Sequence, residues 1–158
     1  MTPERLLALT AAGTVQLPKL PTGPRPEWTV AEAGMAGCMV ERDHWYALRF
    51  SYAGDDSVRP ELETSLRAWA SKRITRRCWP MVTLSAPPYR YDVVSMHLDE
   101  ERHARVFNSA HGLRPLLMDS SDQKWCRTFQ PLYEEIRLKY LGWLSMGRSQ
   151  MLGWLQCE

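Results

Sequence analysis

The chain has 158 residues, of which 44% are apolar and 24% charged, and it carries a formal net charge of +2. That composition is ordinary for a globular protein and argues against wholesale disorder, and a chain of this length can bury roughly 70% of the surface its unfolded form exposes, so it needs no disulfide or metal staple. No apolar run approaches the ~20 residues that cross a bilayer, and Met1-Thr2-Pro3-Glu4-Arg5 does not open a secretory leader, so a cytoplasmic, reducing setting is expected.

In chain order, Thr2-Pro3-Glu4 supplies an N-cap, a first-turn proline and an acid for a short helix through Leu6, Leu7 and Leu9, which Gly13 ends. Pro18, Pro21, Pro24 and Pro26 then exclude helix and predict an extended arm. Residues 1–28 are therefore expected to form a short helix and a proline-rich arm, the kind of segment two copies exchange in a homodimer. Residues 29–158 are expected to form a single helical domain. Thr29 and Glu32 form a capping box with Trp28 as its staple, predicting a helix to about Met39 in which Ala33, Gly34 and Gly37 permit close approach. Asp43 is positioned to cap a second helix from His44 to a stop at Gly54.

Asp55-Asp56-Ser57 precedes a third helix, whose Val58, Leu62, Leu66 and Trp69 share about 80° of arc. Arg73 and Arg76 project onto that same arc, where an unpaired guanidinium would be costly to bury. Either the helix ends near Lys72, or its last turn runs past the core and presents arginines at the rim. Trp79-Pro80 breaks the pattern. Met81 to Ser85 suits one short strand, whereas Tyr89 to His97 fits strand and helix equally. Asp99-Glu100-Glu101 predicts a helix start, with acids at its positive end, running towards His111-Gly112. Ser120 and Ser121 precede a short helix carrying Trp125 and Phe129. From Pro131, Leu132, Tyr133, Ile136, Tyr140, Trp143 and Leu144 cover about 120° of one face of the strongest helix, with Gly147 as its expected end and one further turn at Met151 to Leu155. The expected fold is mainly α: a compact helical domain of about five to six helices, with room for a short strand pair or hairpin around 81–96.

Charge is unevenly spread. Residues 64–91 hold six bases (Arg67, Lys72, Arg73, Arg76, Arg77 and Arg90) and no acid, while the segments before and after carry −3 and −1. Such an island makes a local positive potential that attracts phosphate or an acidic protein face. Trp69 and Trp79 interleave it, placing rings beside cations. Arg67, Lys72, Arg73, Arg76 and Arg77, with Trp79 as aromatic anchor, are therefore the expected partner-binding residues. The structural alternative is a basic helix C-terminus complementing its own dipole, with arginine stacked on tryptophan inside the fold.

Chemistry is less well supplied. Cys38, Cys78, Cys126 and Cys157 are too scattered for a zinc ribbon or a redox pair. His97, Asp99, Glu101 and His103 form one local cluster of metal-competent types, but each four-residue spacing pairs a histidine with a carboxylate, as surface ion pairs also do. Phosphate-loop, dinucleotide-binding and nucleophile-elbow motifs are missing. Neither metal, cofactor nor catalysis is expected. The enzyme alternative would assemble a Cys/His or His/carboxylate site through the fold, as Cys126 with His111.

Two stretches carry a resemblance. Ala47-Leu48-Arg49-Phe50-Ser51-Tyr52-Ala53-Gly54-Asp55, preceded by Met39-Val40-Glu41, resembles a segment of small phage regulatory proteins of the late-gene antiterminator type. Leu132-Tyr133-Glu134-Glu135-Ile136-Arg137-Leu138-Lys139-Tyr140-Leu141 is similar to the helix preceding a sigma-like helix-turn-helix. The paired cysteines of zinc-bearing members are missing here. The resemblance implies a phage-encoded regulator in the host cell. The expected function is a non-catalytic protein that docks through its basic surface on a host transcription, nucleic-acid-handling or defence complex and modulates or inhibits it. A direct DNA- or RNA-binding regulator is the alternative, and the low net charge favours protein as the direct partner.

Overall fold

The computed structural model describes residues 30–73, 81–83, 90–103 and 130–156. These residues are mainly α-helical, as the periodicity predicts. The elements in order are α1 (Val30–Cys38), α2 (Arg42–Ala53), a 3₁₀ turn (Asp56–Val58), α3 (Arg59–Ser71), β1 (Met81–Thr83), β2 (Arg90–Asp92), α4 (Val93–Arg102) and α5 (Gln130–Gln156). β1 and β2 pair antiparallel in the register Met81↔Asp92, Val82↔Tyr91, Thr83↔Arg90. Among the described residues, no helix is long and apolar enough to cross a membrane. The expected N-terminal helix, the proline-rich arm and everything expected between 104 and 129 lie outside the described residues. The described residues divide into two compact units, one holding those from 30 to 62 and from 141 to 156, the other those between Glu63 and Tyr140.

In the first unit, local chemistry sets the boundaries. Gly54 adopts φ 69°, closing α2 in the left-handed conformation that glycine reaches without a Cβ penalty, and its N–H donates to the Arg49 carbonyl. Asp55 then caps the 3₁₀ turn by accepting from the Ser57 amide and hydroxyl, and pairs with Arg49. The Ser57 contacts, helped by Arg49, hold its carboxyl below the usual carboxylate range. Glu41 stands at the N-cap of α2 without a side-chain cap bond, so Asp43, expected there, lies inside the first turn. Ala36, Ala47, Leu48, Phe50, Val58, Leu62, Trp143, Leu144 and Met151 are buried.

Gly147 does not end α5, which runs on to Gln156. The physical reason is close approach. A Cβ at Gly147 would stand 3.0 Å from Leu48 Cδ1, 3.1 Å from His44 Cβ and 3.2 Å from the His44 carbonyl oxygen. The glycine therefore lets α5 pass against α2. One turn along, Gln150 Oε1 accepts from the Glu41 amide at 3.3 Å and from Nδ1 of buried His44 at 3.1 Å.

In the second unit, Leu66 and Ala70 of α3, Val93, Val94, Met96 and Leu98 of α4, and Leu132, Tyr133, Ile136 and Tyr140 of α5 are buried. The ambiguous stretch from Tyr89 resolves at Asp92. Its Oδ1 accepts from the Ser95 amide at 2.9 Å, which caps α4 and converts strand to helix within one residue. Asp99, Glu100 and Glu101 consequently fall at the end of α4, not at the start of a helix as expected. The capping aspartate seven residues upstream takes that role.

The three glycines of α5 should respond oppositely to one substitution. Gly142→Ala and Gly153→Ala meet nothing within 4 Å and are expected to stabilise by up to about 1 kcal/mol through helix propensity. Gly147→Ala is expected to destabilise by about 1 kcal/mol or more, because overpacking against the α2 backbone outweighs that gain. Urea unfolding midpoints of the three variants check the signs.

Candidate functional site

Among the described residues of the basic island, Arg67 stands in different surroundings from Lys72 and Arg73. Arg67, on α3, is turned into the second unit: its Nε donates to Asp92 Oδ2 at 2.6 Å, Nη2 to Asp92 Oδ1 at 3.3 Å and to Ser95 Oγ at 2.9 Å, and Nη1 to Glu63 Oε2 at 3.1 Å. Asp92 is 2% exposed and Arg67 38%. Burial pushes the Asp92 carboxyl up, but the bonds from Arg67 and Ser95 outweigh it and hold the group below the ordinary carboxylate range. Burial likewise opposes the charge on Arg67, and Asp92 with Glu63 more than restores it. This guanidinium is committed to the fold.

Two helical turns on, the situation reverses. α3 ends at Ser71, so Lys72 and Arg73 leave the apolar arc before it would bury them, and both are exposed. Lys72 N–H donates to the Trp69 carbonyl and Arg73 N–H to that of Ala70, tightening the last turn. The Arg73 guanidinium carbon sits 4.7 Å from the centroid of the half-buried Trp69 ring, and Lys139 Nζ of α5 lies 5.8 Å from it. Arg73 Nη1 also donates to Glu135 Oε2 at 3.2 Å. Trp69 of α3 with Arg73 just past its end, and Glu135 with Lys139 on α5, are two four-residue spacings brought together as a surface quartet. Arg76, Arg77 and Trp79 lie outside the described residues.

Lys139 and Glu135 had no distinguishing signal in sequence, because only the approach of α3 to α5 brings them to the ring. Trp69 carried one, standing at the end of an apolar stripe four residues before an arginine. A cation over a tryptophan face is held there electrostatically. The arrangement gathers two cations and one carboxylate around a single half-buried ring.

No protein-family model, curated protein or solved structure matches the chain. The site rests on its own geometry.

The metal-competent cluster around α4 does not assemble. His97 is buried edge-on against Tyr133 and Tyr140, with ring centroids 5.9 and 5.0 Å away, whereas His103 is exposed beyond the helix end. Among the described residues no three metal-competent side chains converge. Cys126 and His111, the pair considered for catalysis, lie outside the described residues. Both ring nitrogens of His97 lack a hydrogen-bond partner. Burial, reinforced by the like charge of Arg137, pushes its pKa down to about 4.

That histidine makes the protein acid-sensitive in a defined window. Its folded pKa lies below the unfolded value of 6.5, so the unfolded state binds the extra proton, and stability present above pH 6.5 is lost as pH falls towards 4. Relative to the wild type, His97→Leu is expected to gain roughly 2 kcal/mol between pH 6.5 and 4.5. Parallel stability profiles of the two proteins in urea titrations would contradict this.

Proposed function

We propose that the protein is a non-catalytic regulator that docks through a basic Arg/Trp surface on a larger protein or nucleoprotein complex and modulates it. The observation that carries this reading is the convergence of Arg73, just past the end of α3, and Lys139 of α5 on one tryptophan ring, with exposed Lys72 next to Arg73 in the chain. Cations gathered on one ring at a surface raise the local positive potential, which suits an acidic partner. Arg76, Arg77 and Trp79 extend the same contact set along the chain. Arg67 supports it from behind by fixing α3 through Asp92.

The likeness of residues 47–55 to phage late-gene regulators, and of residues 132–141 to the helix preceding a sigma-like helix-turn-helix, supports a phage-encoded protein acting in the host cytoplasm, with a transcription, nucleic-acid-handling or defence complex as its target. The modest net charge of +2 supports a protein face as the direct contact, since dedicated nucleic-acid binders are more basic.

The test is affinity capture from host lysate, run in parallel with and without nuclease and read by mass spectrometry. The expected result is a defined host protein retained after nuclease treatment by the wild type, and lost by the Arg73→Glu, Arg76→Glu, Arg77→Glu triple variant while its far-ultraviolet circular dichroism stays helical. Capture that vanishes with nuclease, together with steep weakening by salt, would assign direct nucleic-acid binding instead. Equal capture by the folded triple variant would eliminate this surface.

A further inference from the structure

The quartet holds its own anion. Arg73 and Glu135 are 58% and 48% exposed, and one guanidinium N–H meets one carboxylate oxygen at 3.2 Å. A guanidinium carries five donors in a fork that fits a carboxylate bidentately, so this single contact uses little of it. Exposed pairs of this kind contribute roughly 0.2–1 kcal/mol, little enough to be exchanged. The Trp69 ring meanwhile keeps the arginine in place when its anion changes.

The surroundings select among anions. Glu135 lies against Arg73, and its sequence neighbour Glu134 pairs with Arg137 at 3.6 Å. A continuous run of phosphates laid over this mixed surface would meet those carboxylates as like charges. Discrete carboxylates spaced by neutral side chains would not. A ring already approached by two cations is also a poor platform for stacking a base.

Resting on the docking function above, we propose that Arg73 is the receptor for a carboxylate of an acidic protein segment, and that Glu135 occupies this receptor as an intramolecular competitor in the unbound protein. Binding then exchanges one carboxylate for another. The pair is an autoinhibitory contact whose removal sharpens recognition.

Four full-length proteins decide it: wild type, Glu135→Gln, Glu134→Gln and Arg73→Gln, each checked for an unchanged helical spectrum and thermal midpoint. The probes are a fluorescein-labelled peptide of five alternating glutamate and glycine pairs and a labelled oligo-dT strand, followed by anisotropy at low salt. Glu135→Gln is expected to bind the peptide roughly two- to fivefold more tightly than wild type. Glu134→Gln, with the same net charge, should gain clearly less, and Arg73→Gln should lose binding. Equal gains for the two glutamine variants would overturn the competitor role while leaving the docking surface standing. Greater tightening of oligo-dT than of peptide would overturn the acidic-protein assignment. Unaltered peptide binding by Arg73→Gln would overturn both this inference and the docking reading beneath it.

Discussion

The second unit depends on one buried carboxylate. Asp92 is almost fully removed from water, and an isolated charge there would cost several kcal/mol or surrender its ionisation. Arg67 meets it with two N–H donors and reaches Ser95 and Glu63 with the others. Replacing such a pair with apolar groups often costs nothing, so its value to the fold lies in specificity rather than net stability. The carboxylate that accepts from Arg67 also caps α4. The ion pair therefore fixes where the strand stops, where the helix starts, and how α3 stands beside that junction.

The same constraint divides the basic island into two roles. Arg67 and Arg73 are chemically identical and lie six residues apart, yet one points at Asp92 and the other emerges beyond the last turn of α3. Arg67 ties α3 to Asp92, and further along the chain Trp69 and Arg73 meet Glu135 and Lys139 of α5. An internal ion pair and a surface cation cluster are thus successive consequences of one helix.

What was legible in the sequence follows the range of the forces involved. The stripe Leu132, Tyr133, Ile136, Tyr140, Trp143, Leu144 is buried in full, because apolar periodicity is a local property. Gly54 and Asp55 mark a helix end and a cap for equally local reasons. Gly147 reads as a stop in isolation, but its reason for being glycine is the α2 backbone, far away in sequence. Asp92 looks like an ordinary strand-end polar residue until Arg67 gives it a partner. Asp99-Glu100-Glu101 imitates a helix start because acid enrichment carries no information about a better cap upstream. The candidate site was half visible for the same reason: the cations and Trp69 are neighbours in sequence, whereas Glu135 and Lys139 reach them only through tertiary packing. Nothing local separates an arginine committed to the interior from one left at the rim.

Amide hydrogen exchange across Val93–Leu98, compared between the wild type and Arg67→Met under conditions where both are folded, tests most directly whether the buried pair sets the strand-to-helix switch. Losing Arg67 should leave Asp92 without its countercharge, so the start of α4 is expected to lose protection, at the Ser95 amide above all, while α2 retains its own. Undiminished protection across Val93–Leu98 in the variant would show that α4 begins at Asp92 without help from Arg67.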